Sequence, residues 1–264
     1  MTDAQPQFLT VGEGQAARKI AYITSPGQIV DGKQPTGLMW LLGLKSDMVS
    51  TKASALAEWA GKQGYAMTRF EYSAHGQSEG NFSDATIGDW LEESEAVFQK
   101  LTAGSQVLVG SSTGGYLALL LVRRLLEVEP AAAKRIKALV LIAPAWDLTE
   151  DLMWQKFSEE TRREIMEQGV HLRPSDYGEP YMITRKFIEE GRKHLFAGKP
   201  FDPGCPVVIL QGALDPDVPL EHAQKLAKFT KGAEIIVVPD AEHRMSRSQD
   251  LALLFETIDN VIAR

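Results

Sequence analysis

Residues 106–120 read QVLVGSSTGGYLALL. Residues 107–109 are a short apolar run containing two β-branched valines, the pattern of a buried strand. From Leu117 onward the chain favours helix and meets no breaker. Between the two lies Gly110-Ser111-Ser112-Thr113-Gly114, a G-x-S-x-G placed at a strand-to-helix turn. A turn this sharp pushes the Ser112 side chain out at the top of a sheet. The helix behind it offers free N–H groups and the positive end of its dipole to whatever Ser112 attacks. A side chain at Gly110 or Gly114 would crowd the turn. No Lys-Ser/Thr pair follows the glycines and the spacing is not G-x-G-x-x-G, which excludes a P-loop and a dinucleotide fingerprint.

Outward from this turn, eight stretches read as strands: residues 8–11, 18–23, 38–42, 66–72, 107–109, 138–143, 207–210 and 234–238. The first two flank Gly12-Glu13-Gly14 and read as an antiparallel hairpin at a sheet edge. From residue 38 onward, apolar runs alternate with helical patterns, among them 50–61, 87–101, 219–229 and 249–262. That alternation predicts an α/β fold with a mostly parallel eight-stranded sheet and helices on both faces. Ligands of such sheets bind at the carboxyl ends of the strands.

Residues 146–203 break the alternation and hold no convincing buried strand. Asp147 with Glu150 reads as a capping pair. Ser158 followed by Glu159 and Glu160 opens a helix that stops at Gly169, and residues 184–196 read as another. The segment leaves the sheet at one strand end and returns at the next. The expected division is a core of residues 1–145 and 204–264 with a helical cap insertion at 146–203.

Composition narrows the function classes. The chain has 264 residues, 44% hydrophobic and 24% charged, enough apolar material for a full core. A net charge of −7 argues against a nucleic-acid partner, which needs a basic face. The single cysteine, Cys205, rules out an internal disulfide. No apolar run approaches the roughly 20 residues of a membrane span. MTDAQPQFLT carries neither a signal-peptide nor a transit-peptide pattern, so the expectation is a soluble, cytoplasmic protein. Oligomeric state is not legible.

A serine hydroxyl attacks only when a base takes its proton, and the base needs a third group to hold its tautomer. Of the five histidines, His75 lies in the loop after residues 66–72, His171 and His194 in the insertion, and His222 inside a helix. His243 follows the last strand, in VPDAEH, and is the expected base. The acid belongs just after residues 207–210, where Asp215 and Asp217 compete. Asp215 is nearer the strand end and is the expected acid, whereas Asp217 sits where a helix N-cap would. The order Ser112, Asp215, His243 is that of the α/β-hydrolase triad. Oxyanion donors are expected at the backbone N–H groups of Thr113 and of Leu44, with Gly43 letting backbone approach the substrate. In the insertion, Trp146, Trp154 and Tyr181 are the expected apolar wall of a substrate site. The same segment carries Arg162, Arg163, Arg173, Arg185 and Arg192, candidates to meet a substrate carboxylate.

Taken together these residues resemble the α/β-hydrolase superfamily over essentially the whole chain. A narrower likeness lies in residues 69–80, RFEYSAHGQSEG, similar to R-F-D-Y-S-x-x-G-x-S-x-G, in Thr86-Ile87-Gly88-Asp89-Trp90, and in the G-S-S-x-G-G turn. It points to a branch that includes palmitoyl-protein thioesterase and acyl-glucuronide esterase activity. The resemblance implies a serine esterase or thioesterase without a cofactor or metal, forming an acyl-enzyme on Ser112 from a small-molecule or acylated substrate. It supports Ser112, Asp215 and His243 at the positions already reached. Two residues depart from the pattern: Leu42-Gly43-Leu44 stands where many relatives carry His-Gly or Pro-Gly, and Glu71 replaces Asp. Serine rather than aspartate at the turn argues against a dehalogenase. Peptidase, lactonase and carbon–carbon hydrolase chemistry stay open, as does a non-catalytic receptor or scaffold built on the same fold.

Overall fold

The computed structural model describes residues 5–29, 32, 35–173 and 180–264. Its main sheet has eight strands: β1 (Gln7–Val11), β2 (Arg18–Ser25), β3 (Gly37–Leu41), β4 (Ala66–Phe70), β5 (Gln106–Ser111), β6 (Ile136–Ile142), and the later β9 (Val207–Gly212) and β10 (Ala233–Val238). The order across the sheet is β1-β2-β4-β3-β5-β6-β9-β10. β2 runs antiparallel to both β1 and β4, and all other pairs are parallel. Every residue of β3, β5 and β9 is buried, which requires cover on both faces and explains why these strands read as unbroken apolar runs.

The covering helices are α1 (Thr51–Gln63), α2 (Ile87–Leu101), α3 (Thr113–Val128), the single turn α4 (Pro130–Ala133), α7 (Leu220–Phe229) and α8 (Ser248–Ala263). α1 packs on α8 through Trp59 and Phe255, whose rings stack at 5.0 Å and 5°. α1 ends where Gly64 takes a φ of 78°, and α2 begins where the Thr86 hydroxyl accepts the Asp89 N–H, a cap of about 1 kcal/mol.

Chain order reverses direction across the sheet between β3 and β5. Loops leaving the carboxyl ends of those two neighbours diverge and leave a crevice. Leu41 pairs with Gly110, so the residues that follow each of them emerge side by side.

The segment between β6 and β9 departs in part from the expected helical insertion. It contains α5 (Glu159–Gln168), capped by Ser158 and ended by Gly169 as the sequence predicts, and α6 (Arg185–Gly191). Between them lies an antiparallel hairpin, β7 (Val170–Arg173) with β8 (Tyr181–Thr184). Four-residue strands that pair only with each other give no long periodic signal. The capping role expected of Asp147 is also corrected. Asp147 has a φ of 49°, and its carboxylate accepts the N–H groups of Phe196 and Ala197, both at 2.7 Å. It ties the start of the insertion to its end, while Glu150 pairs with Arg192 at 2.9 Å.

Candidate active site

The turn between β5 and α3 holds Ser112 at φ 54° and ψ −118°, a conformation L-residues rarely adopt. Backbone bonds pin it: Ser112 N–H donates to Ile142 O at 2.8 Å, and Ser112 O accepts from Gly115 at 2.9 Å, Ala145 at 3.0 Å and Tyr116 at 3.3 Å. Such strain persists only where neighbours over-determine it. A Cβ at Gly114 would overlap the carbonyl of Leu41, and one at Gly110 the carbonyl of Gly114. The two glycines let the helix start pass directly against β3 and β5.

His243 Nε2 lies 3.0 Å from Ser112 Oγ, and His243 Nδ1 lies 2.7 Å from Asp215 Oδ2. A carboxylate only accepts, so Nδ1 carries the proton and Nε2 is left to accept from the serine hydroxyl. The Asp215 side chain is fully buried, and its Oδ1 accepts the N–H groups of Asp217 and Val218, each at 2.9 Å. The Gln211 amide donates to Oδ2 at 3.2 Å and to Val218 O at 2.9 Å, bracing the same loop. Asp217 is exposed and is not the expected helix cap. α7 begins at Leu220, with Pro219 as its N-cap residue. Among the described residues, one group of histidine and carboxylates is close enough to hold a metal ion: Asp215, Asp217 and His243, within 4.8 Å. Two of those three are already committed to each other.

Gly43 follows β3 and faces the nucleophile. A Cβ there would lie 3.3 Å from Ser111 O and 3.4 Å from Ser112 Cβ. Leu44 and Thr113 both line the cleft, and neither backbone N–H has a protein partner among the described residues. Two unpaired donors thus flank the serine, as stabilisation of an oxyanion requires.

The cleft above Ser112 has a volume of about 750 Å³. Leu148, Leu152, Met153 and Ile183 give it an apolar wall from the insertion. Of the three expected wall residues, Trp146 and Trp154 lie outside the cleft lining. Trp146 is buried away from the cleft: its Nε1–H donates to His222 O at 2.9 Å, its own carbonyl accepts from His222 Nε2 at 2.8 Å, and the rings stack at 4.5 Å. Trp154 is half-buried and takes the guanidinium groups of Arg192 and Arg162 at 4.8 and 5.6 Å from its ring. Tyr181 begins β8, and its side chain lies outside the described residues. Of the arginines expected in the insertion, Arg173 lines the cleft. Arg162 is held by the carbonyls of Trp154 and Gln155, Arg185 by Glu189 and Arg192 by Glu150.

Sequence reasoning missed Lys52, Lys156 and Arg244 in the cleft. Among the described residues, Lys45, Lys52, Lys156, Arg173 and Arg244 line it against Asp47 and Asp217, an excess of positive charge in an acidic chain. Lys52, in the first turn of α1, donates to the carbonyl of Arg244, the residue after His243. Burial and the nearby Arg244 charge pull its ammonium down to about 8. No local motif marks a lysine for such a contact across the fold. Two further histidines are held in the insertion: His171 by Glu164 and His194 by Glu190, at 2.7 and 2.6 Å.

A sequence model described as the alpha/beta hydrolase family matches residues 36–256. The chain belongs to the α/β-hydrolase family. Within that family it is 32% identical to the palmitoyl-protein thioesterase ABHD10, mitochondrial, of Bos taurus, over 99% of this chain and 85% of the relative. The solved structure of a putative hydrolase from Agrobacterium vitis S4 superposes with a TM-score of 0.91 at 38% identity, covering 98% of each chain. Mouse alpha/beta hydrolase domain-containing protein 10 superposes with a TM-score of 0.83 at 30% identity, covering 98% of this chain and 99% of that one. No helix among the described residues is long and apolar enough to cross a membrane.

Proposed function

We propose that this α/β-hydrolase cleaves acyl esters or thioesters through an acyl-enzyme on Ser112. The observation that carries the reading is the continuous line Ser112 Oγ, His243, Asp215, with contacts of 3.0 and 2.7 Å, beneath a cleft that Ser112 and His243 line. Ser112 Oγ adds to the acyl carbonyl while His243 Nε2 takes its proton. The oxygen that gains charge sits between the N–H groups of Leu44 and Thr113. The intermediate collapses, the carbon–oxygen or carbon–sulfur bond breaks, and the leaving alcohol or thiol takes the proton back from Nε2. Water repeats the sequence to release the acid. Asp215 fixes the imidazole tautomer and stabilises the imidazolium.

In this reading residues 146–203 act as a cap, and Leu148, Leu152, Met153 and Ile183 receive the acyl chain. Among the described residues, the five cations against two carboxylates in the cleft support an acyl substrate that also carries an anionic group, as an acyl glucuronide would. The thioesterase name of the relatives supports acylated substrates.

The test is a panel of p-nitrophenyl esters and acyl thioesters together with a fluorophosphonate probe. Turnover, with the probe attached to Ser112, is the expected result. Folded protein that neither turns over any member nor accepts the probe would make the fold a receptor or scaffold instead.

A further inference from the structure

We propose that His75 is a positioning residue for the oxyanion hole: its Nε2 accepts the backbone N–H of Lys45 at 3.0 Å and thereby sets the turn that presents Leu44 N–H to the substrate oxygen. The inference rests on the reading of Leu44 as an oxyanion donor given above.

Gly43, Leu44, Lys45 and Ser46 form a four-residue turn closed by Ser46 N–H to Gly43 O at 3.1 Å. Lys45, its third residue, has a φ of 52°, which a residue with a Cβ disfavours. Turns of this size relax from such a φ by rotating the central peptide, here Leu44 C=O with Lys45 N–H. The adjoining peptide carries the Leu44 N–H, so a rotation would disturb the donor. An acceptor fixed against Lys45 N–H opposes it.

His75 is built to be that acceptor. Its Nδ1–H is taken by Ser73 O at 3.1 Å, which leaves the lone pair of Nε2 facing Lys45. The ring is buried, edge-on to Trp90 at 5.1 Å and to Tyr72 at 5.6 Å, with Phe82 at 5.9 Å. Burial, assisted by the Lys45 charge, pushes the imidazole down to about 4, so it stays neutral and able to accept at ordinary pH. The far end of the same loop is held from the same segment. Glu71 Oε1 accepts Met48 N–H at 3.1 Å and Oε2 accepts Gln77 N–H at 2.6 Å. The RFEYSAHGQSEG stretch thus grips the loop after β3 at two points, and neither Glu71 nor His75 lines the cleft.

A histidine present only for packing needs its ring and not its acceptor, and two variants separate these. His75→Phe keeps an aromatic ring and removes the acceptor. His75→Gln restores an acceptor at similar reach without the ring. The measurements on the full chain are kcat and KM for a p-nitrophenyl ester and affinity for a trifluoromethyl ketone, whose adduct with Ser112 places an alkoxide in the oxyanion hole. For His75→Phe, kcat should fall about ten- to a hundredfold, somewhat less than deletion of a donor costs, with KM within about twofold. Ketone affinity should weaken by a similar factor, and His75→Gln should recover both to within about threefold. Should His75→Phe not fold, His75→Met carries the same comparison. Unchanged kcat, a loss of kcat with unaltered ketone affinity, or a glutamine variant as impaired as the phenylalanine one would each overturn the proposal. Wild-type protein that is neither active nor labelled at Ser112 overturns the hydrolase reading and this inference with it. Active wild type with an unaffected His75→Phe overturns this inference alone.

Discussion

His243 Nδ1 and Asp215 Oδ2 stand 2.7 Å apart, and the other oxygen of that carboxylate is saturated by two backbone N–H groups, those of Asp217 and Val218. The carboxylate is therefore fixed in orientation before the imidazole meets it. Replacement by an amide leaves the geometry but lets the wrong tautomer form, a change that costs on the order of 10⁴ in kcat in a serine protease. Asp215→Asn should lose activity on that scale. Asp217→Asn retains the backbone N–H that Asp215 uses, caps no helix, and should stay within a few-fold of wild type. Side-by-side kcat measurements check the ranking, and the reverse order would assign the acid to Asp217.

Ser111 and Ser112 are adjacent, but only Ser112 has its hydroxyl on His243. Ser111 is the last residue of β5. A fluorophosphonate should label wild type and Ser111→Ala and leave Ser112→Ala unlabelled, with mass spectrometry placing the adduct on the peptide containing Ser112. An adduct on Ser111 would shift the register of the turn by one residue.

The Trp146–His222 pair joins the start of the insertion to α7 and carries a pH signature. Burial pushes His222 down to about 4 from the usual 6.5 or so. Between about pH 6.5 and 4 the unfolded chain binds a proton on this side chain that the native state excludes. Stability therefore falls as pH falls through that window, by on the order of 3 kcal/mol at pH 4, and this group adds little further loss below it. His222→Gln keeps a donor for Trp146 O without the titration. Urea unfolding at pH 7 and pH 4 should show a smaller acid loss in the variant than in wild type. An equal loss in both would mean that His222 protonates freely in the native state.

Legibility followed the range of the signal. The strands of the main sheet, the turn at Ser112 and the order Ser112, Asp215, His243 each leave a local mark: an apolar run, a glycine pair, a residue just past a strand end. The hairpin of β7 and β8 did not, because its strands are four residues long and pair only with each other. The surfaces that take Trp146 and Trp154 are not legible, because size and apolarity say that a side chain will be buried, not which surface buries it. Trp146 turned to His222 and Trp154 to two arginines. Lys52 and His75 acquire their positions from contacts across the fold, Lys52 with the Arg244 carbonyl and His75 with the Lys45 N–H.

The apolar wall made by Leu148, Leu152, Met153 and Ile183 sets the last prediction. Leu152, Met153 and Ile183 are buried, on the insertion, and line the same cleft as Ser112. An acyl chain laid against them leaves water, and each methylene contributes up to about 0.8 kcal/mol. If that energy is expressed in the transition state, kcat/KM rises about three- to fourfold per added CH₂ until the wall is covered, then levels off. A series of acyl esters from acetyl to palmitoyl with one leaving group measures the slope and the plateau. Leu152→Trp fills part of the wall and should move the plateau to shorter chains while leaving the acetyl ester nearly unaffected. Met153→Ala opens it and should move the plateau the other way. A steady fall in kcat/KM from acetyl onward would remove the acyl chain from this wall and give the cleft to a compact ester whose polar part meets the lysines and arginines of its lining.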